Sequence, residues 1–156
     1  MSIITNELID NLNSNGVVVY PTSTLPGLGC LPTKKGLDHL FEIKNRRDDQ
    51  PVSLGVASLT QASELVKVPQ FAISLLDNFP LGSITLILDA NNPLDYRLGG
   101  DRVAVRVFAD PIARKLAEVV GPITATSANP SGVEPSNNVA LAAQSLNLAN
   151  ESILEG

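Results

Sequence analysis

Tryptophan is absent from this 156-residue chain, and cysteine, histidine and methionine occur once each. A lone Cys30 forbids an internal disulfide and fits a reducing compartment. Cys30 and His39 together fall short of the three or four N/S ligands of a zinc site. With one imidazole, a Ser-His-Asp relay would have to run through His39, and neither G-x-S-x-G nor G-x-x-x-x-G-K-[ST] occurs. Apolar runs stop at about five residues, against the roughly 20 that span a bilayer, and the first residues lack a cationic leader. A soluble, cytoplasmic protein with no membrane partner is expected. Eleven basic against 16 acidic residues leave a net charge of −5, which argues against a surface coated in cations for nonspecific nucleic-acid binding. The length suits one domain over residues 1–156, large enough to fold without disulfides or metal.

What is present alternates between helical and extended patterns. Ile4, Leu8, Ile9 and Leu12 recur at helical spacing, with Gly16 as a stop. Val17 to Tyr20 reads as a buried strand before Pro21, and Leu28 to Leu31 as a short second one. Thr33 is placed to cap a helix carrying Leu37, Leu40, Phe41 and Lys44. Val52 to Ala57 is the next strand. Ala62, Leu65 and Val66 predict one helix, and Ala72, Leu75, Leu76 and Phe79 another after Pro69. Strands are expected at Ile84–Leu88 and Val103–Val107. Asp110-Pro111 reads as a cap and a first-turn proline for a helix reaching about Val120. A strand over Pro122–Thr126 and a helix over Asn138–Leu146 complete a three-layer α/β arrangement.

Polar residues gather in three stretches that core packing does not require. Pro21-Thr22-Ser23-Thr24-Leu25-Pro26-Gly27-Leu28-Gly29 sets hydroxyls after a strand, with two glycines that permit a tight turn. It reads either as a polar ligand contact or as a turn bonded to itself. Lys44-Asn45-Arg46-Arg47-Asp48-Asp49-Gln50-Pro51 reads as solvated charge at a helix end or as a phosphate clamp, with Lys the point charge and Arg the fork. Thr124-Ala125-Thr126-Ser127-Ala128-Asn129-Pro130-Ser131-Gly132 lies past a strand's carboxyl end, where open α/β sheets bind ligands, or is a plain hydrogen-bonded loop. Arg102 and Arg106 share one face of a strand, which demands either solvent or anions there. His39 reads as a surface residue and Cys30 as a buried packing residue.

These stretches, in this order, resemble the YrdC-like domain of the threonylcarbamoyl-adenylate synthase family. Pro21-Thr22-Ser23-Thr24 with Gly27-Leu28-Gly29 resembles the opening P-T-x-T-x-x-G-L-G, and Lys44-Asn45-Arg46 its K-x-R. Gln50-Pro51-Val52-Ser53-Leu54 stands at an N-P-L-like segment, and Gly82-Ser83-Ile84-Thr85 is similar to G-P-x-T. Val105-Arg106-Val107 matches V-R-x. Thr126-Ser127-Ala128-Asn129-Pro130-Ser131-Gly132 matches T-S-A-N-x-S-G, the most distinctive piece. The resemblance covers residues 1–154.

It implies a twisted, mixed β-sheet with flanking helices and a large concave face. It also implies an ATP-dependent enzyme, a nucleotidyltransferase. Threonine, bicarbonate or CO2, and ATP would give threonylcarbamoyl-adenylate and pyrophosphate, which feeds the t6A modification of tRNA at adenosine 37 through a downstream transferase complex. By position, Thr24, Arg106 and Ala125 would meet threonine. Lys44, Arg46, Gln50, Ser127, Asn129 and Ser136 would meet ATP, with Lys44 and Arg46 serving catalysis and Mg2+ arriving with the nucleotide. The chain departs from the family pattern at Pro26, generally Tyr or Phe, at Gly55, often a polar contact, and at Asp110, usually His. It ends at Gly156 where the family continues through a Gly-rich stretch into a final strand, so a last strand is expected to be missing and activity to be impaired. Two alternatives stand beside the enzyme. One is a non-catalytic RNA- or nucleotide-binding module of the same fold, in which Lys34, Lys35, Lys44, Arg46, Arg47, Arg97, Arg102 and Arg106 line a face for tRNA or double-stranded RNA. The other is a diverged adenylating paralogue.

Overall fold

The β-branched run before Pro21 forms β1 (Val18–Tyr20), buried at every residue, and its neighbours complete one six-stranded sheet. The structure is a computed structural model that describes residues 3–155. In chain order the remaining strands are β2 (Gly27–Gly29), β3 (Ser53–Val56), β4 (Leu86–Asp89), β5 (Arg102–Val107) and β6 (Ile123–Ser127). Their order across the sheet is β1-β2-β6-β3-β5-β4, with β3 and β5 parallel and every other pair antiparallel. The sheet is therefore mixed, as the family resemblance implies. Beside β1, Ile153 forms a parallel bridge with Val19, and the Leu154 N–H donates to the Val19 carbonyl (2.9 Å).

The helices are α1 (Asn6–Asn13), α2 (Lys34–Lys44), α3 (Leu59–Ala62), α4 (Gln70–Asp77), α5 (Pro111–Val120) and α6 (Val139–Ser145). Their starts are set by local side-chain chemistry. Thr33 caps α2 through the Gly36 N–H, and the Asp110 carboxylate accepts from Ile112 and Ala113 at the start of α5. Two apolar layers result. Leu37, Leu40 and Phe41 of α2 pack with Ala142 and Ala143 of α6 on one side of the sheet. Leu8 and Leu12 of α1 pack with Ala113, Leu116 and Ala117 of α5 on the other. No helix among the described residues is long and apolar enough to cross a membrane.

Two expected elements are displaced. The helix expected to carry Ala62, Leu65 and Val66 stops at Ala62, and Val66 instead bridges antiparallel to Ala90. The Lys67 N–H donates to Asp89 and the Asn91 N–H to Leu65, so the flank of β4 claims this backbone before a second helical turn can. Ile84 falls outside β4, which begins at Leu86.

One buried cation ties the sheet's far side together. Arg97, 5% exposed, donates to both oxygens of Asp95 and to Asp38 of α2, and its guanidinium lies 5.6 Å from the centre of the Phe41 ring. These bonds hold the Asp95 and Asp38 carboxyls below their usual range. A carboxyl whose pKa is depressed on folding stabilises the fold above its unfolded value, near 4, and that stability is lost as pH falls through the folded value. Arg97→Gln is therefore expected to destabilise the fold at pH 7, where both carboxylates are ionised. The difference from the unsubstituted protein should shrink below pH 4. Urea melts at pH 7 and pH 3 check it, and a pH-independent difference refutes the ion-pair assignment.

Candidate active site

The site begins with an aromatic ring that needs two glycines. Tyr20 is fully buried at the end of β1 and lies across β2, where a Cβ on Gly27 would come 2.6 Å from its ring and one on Gly29 would come 3.0 Å. Its hydroxyl donates to the Thr124 carbonyl (3.0 Å), which pins the ring to β6, and burial raises its pKa. The glycines of G-L-G thus serve close approach within an extended strand. The tight turn expected of them lies upstream, in residues 21–26. There the Thr22 hydroxyl accepts from the Thr24 N–H (3.1 Å) and donates to the Leu25 carbonyl. That self-bonded hydroxyl belongs to the turn, while the Thr24 side chain stays exposed at the rim of a cavity.

This cavity, about 210 Å³, opens on the α1/α5 side of the sheet. It brings together Thr24 from the first stretch, Arg106 from β5, and Ala125 and Ser127 from β6. The volume lies below the roughly 300–1,000 Å³ of sites that engulf drug-sized ligands, so it suits an amino-acid-sized group with any nucleotide extending beyond it. Arg106 is the one Lys or Arg in its lining. Its Nε and Nη2 both donate to the Thr85 hydroxyl, at 3.1 and 2.8 Å. Antiparallel register explains the pair: Leu86 lies opposite Val105, which puts Thr85 opposite Arg106 just past the end of β4. Thr85 has no assigned role in the sequence reading, although it closes the Gly82–Thr85 motif. Asp110 and Phe108 also line the cavity.

The second and third stretches meet behind this wall. Asn45 ends α2 in the left-handed conformation (φ 52°), which asparagine tolerates, and the chain turns there. Lys44 is only 2% exposed. Its ammonium donates to the Ser127 carbonyl (2.6 Å), the Asn129 carbonyl (2.9 Å) and Asn129 Oδ1 (3.3 Å). Those three acceptors match the three donors of an ammonium group. The Ser127 hydroxyl donates to the same Oδ1, and the Asn129 amide donates to the Pro130 and Val133 carbonyls. Burial, helped by the nearby Arg46 charge, lowers the Lys44 pKa to about 8. Arg46 turns to the loop, donating to the Gln50 carbonyl (2.7 Å) and the Pro51 carbonyl (2.8 Å).

Of the nine residues singled out beforehand, four therefore share the cavity, and Lys44 and Asn129 join it through Ser127. Arg46 borders a second, shallower depression shared with Arg97 and Phe41, and Gln50 supplies the carbonyl that holds it. Ser136 lies apart from both linings, its hydroxyl accepting from the Asn138 N–H. Cys30 is buried beside Thr124, and burial pushes its thiol up to about 12, which fits packing and not redox work. The cations expected to line a nucleic-acid face have carboxylate partners at Lys34 (Asp38), Arg47 (Asp49), Arg97 (Asp95 and Asp38) and Arg102 (Asp89).

Residues 10–156 match the Sua5/YciO/YrdC family, described under the heading telomere recombination. The chain is 31% identical to the threonylcarbamoyl-AMP synthase of Aliivibrio fischeri, over 86% of this chain and 76% of that protein. Among solved structures, P. abyssi Sua5 complexed with L-threonine superposes with a TM-score of 0.79 at 33% identity, covering 87% of this chain and 42% of that one. This chain therefore spans less than half the length of Sua5. E. coli YciO superposes with a TM-score of 0.78 at 26% identity, over 97% of this chain and 77% of that one.

Proposed function

The chain belongs to the Sua5/YciO/YrdC family, and from that premise we propose that it makes L-threonylcarbamoyl-adenylate from threonine, bicarbonate or CO2, and ATP, releasing pyrophosphate. The observation that carries this is the convergence of Arg106, Thr24, Ala125 and Ser127 on one amino-acid-sized cavity, joined through Ser127 to Lys44 and Asn129. The P. abyssi Sua5 structure, complexed with L-threonine, supports the same assignment.

The chemistry asks little of side-chain bases. The threonine amine adds to CO2 and loses a proton to give a carbamate, which is already an anion. A carbamate oxygen then attacks the α-phosphorus of ATP. That O–P bond forms as the bond to the bridging oxygen breaks, and pyrophosphate leaves. Such a step runs on positioning and on offsetting charge at the departing phosphates. Arg106 holds the amino-acid carboxylate on its fork, with Thr24 and the Ala125 backbone beside it. Ser127, Asn129, Ser136 and Gln50 meet the nucleotide. Arg46 offers its remaining N–H groups to the phosphates, and Lys44 contributes positive charge while it holds the 127–129 loop. Mg2+ enters with ATP as part of the substrate. Among the described residues no group of three or more His, Cys, Asp or Glu is placed to hold a metal ion. The product is a labile mixed anhydride that must be consumed promptly, and the family resemblance implies the consumer: a transferase complex that passes the threonylcarbamoyl group to adenosine 37 of tRNA in the cytoplasm.

Pyrophosphate release is expected only when threonine, bicarbonate and ATP are all supplied. Equal release without threonine or bicarbonate overturns this substrate assignment in favour of a diverged adenylating paralogue, and tight ATP binding with no turnover under any combination overturns the enzyme in favour of a binding module.

A further inference from the structure

Gly55 of β3 lies beside Arg106 in the parallel register, and the space its side chain would fill is taken. A Cβ built there would sit 2.0 Å from Cζ of Phe108 and 2.6 Å from both adjoining ring carbons. The Phe108 ring thus rests on a bare α-carbon. Its backbone N–H donates to the Val56 carbonyl (2.9 Å), which fixes where the side chain starts. Across the cavity floor it meets Tyr20 edge to face, with centroids 5.6 Å apart and planes at 79°. Tyr20 cannot yield, since it is itself seated on Gly27 and bonded to the Thr124 carbonyl. Phe108 is 4% exposed, yet it lines the cavity. A rigid aromatic wall therefore stands two residues along the chain from the guanidinium that faces the same space. Two residues of extended chain span about 6.6 Å, the scale of an amino acid from its carboxylate to the end of a short side chain.

We propose that Phe108, seated on Gly55 and braced by Tyr20, is the specificity-determining residue of this cavity. It sets an upper limit on the side chain of the bound α-amino acid at about the size of threonine. The proposal rests on the reading of the cavity as the amino-acid site. A carboxylate on the Arg106 fork directs the substrate's β- and γ-carbons toward the ring, which has nowhere to withdraw. Serine, threonine and valine fit in front of it, and leucine, glutamine and phenylalanine collide with it. The same geometry works in reverse at Gly55: a single methyl there must drive the ring forward into the cavity.

The test measures pyrophosphate release with bicarbonate and ATP, alongside calorimetric binding, for threonine, serine, valine and leucine. In the unsubstituted protein, leucine is expected to be at least about 100-fold poorer than threonine, within the range that hydrophobic pockets achieve against added methylenes. Phe108→Ala is expected to improve leucine relative to threonine at least tenfold. Phe108→Leu, a milder change that keeps the core filled, should improve it by a smaller factor. Gly55→Ala is expected to raise the half-saturating threonine concentration at least tenfold with little change in the saturated rate. A leucine-to-threonine ratio that stays within twofold in folded Phe108→Leu, or an unchanged threonine half-saturation in Gly55→Ala, overturns the proposal while leaving the enzyme in place. An unsubstituted protein that neither binds nor turns over any amino acid removes the enzyme reading, and this one with it. Binding without turnover still decides the matter, through the calorimetric ratios.

Discussion

Arg106→Ala raises the threonine concentration needed for half-maximal pyrophosphate release about 100-fold and leaves that for ATP within about twofold. The expectation follows from the cavity's charge. Among its lining residues only Arg106 carries a positive side chain, so no neighbouring cation can replace it against a carboxylate. Loss of a charge-assisted pair of hydrogen bonds is worth about 2.7 kcal/mol at that fold-change. Arg106→Lys recovers only part of the loss, about tenfold, because an ammonium restores the charge and not the fork. Thr85→Val sharpens the test. Two guanidinium donors of Arg106 now share the Thr85 hydroxyl, at 3.1 and 2.8 Å. Removing that hydroxyl frees the donors and also frees the side chain to wander. A several-fold rise in threonine half-saturation marks Thr85 as a positioning residue, and a fall marks it as a competitor of the carboxylate. Steady-state kinetics with threonine and ATP varied separately decide all three. If Arg106→Ala leaves threonine half-saturation unchanged, Arg106 is not the carboxylate's partner.

Lys44→Met has the second large effect, on both stability and ATP. The substitution keeps the apolar stem and removes three donors: the Asn129 carbonyl loses the ammonium, while the Ser127 carbonyl keeps the Asn129 N–H and Asn129 Oδ1 keeps the Ser127 hydroxyl. A buried acceptor that loses its donor costs about 1–3 kcal/mol, and with two further acceptors weakened and a buried charge released the net loss is about 2 kcal/mol at pH 7. ATP affinity is expected to fall roughly 30-fold as the loop carrying Ser127 and Asn129 loses its anchor, about 2 kcal/mol on the same scale. Titration gives a second signature. The folded Lys44 pKa, about 8, lies below the unfolded value near 10.4. Between those values the unfolded chain retains a proton that the folded chain has released, so this group makes stability rise with pH there. The stability of the unsubstituted protein relative to Lys44→Met should therefore climb from pH 8 to pH 10. Turnover should fall over the same range, because a neutral amine offers two donors to three acceptors and no charge to phosphate. Denaturant melts and pyrophosphate release across pH 7–10 measure both. A relative stability that stays flat or falls refutes the buried-ammonium assignment.

Much of the fold is legible because its signals are local. Thr33 and Asp110-Pro111 predict helix starts, and the structure has α2 and α5 begin there, since a cap bonds residues two or three positions away. The expected helix through Leu65 and Val66 fails for the opposite reason. Its helical spacing is genuine, but the partners that win its backbone, Asp89, Ala90 and Asn91, arrive from more than 20 residues downstream. The glycines at positions 27 and 29 are visible to anyone reading the chain. Their purpose is not, because it depends on where the ring of Tyr20 comes to rest across the strand pair.

The same division runs through the site and through the scarcity of reactive side chains. The sequence by itself determined that no N/S zinc site of three or four ligands is available, that hydroxyls, amides and cations concentrate in three stretches, and that Arg106 shares one face of a strand with Arg102. Composition and residue spacing carry that information without any knowledge of distant contacts. Only the tertiary structure decided the rest: that Lys44 is buried against oxygens 83 and 85 residues away, that Thr85 holds Arg106, and that Phe108 rests on Gly55. Each of these is a consequence of strand register and close packing. Whether a cation faces water, a carbonyl or a ligand is set by which strand end lies opposite it, and no local preference of the chain encodes that neighbour.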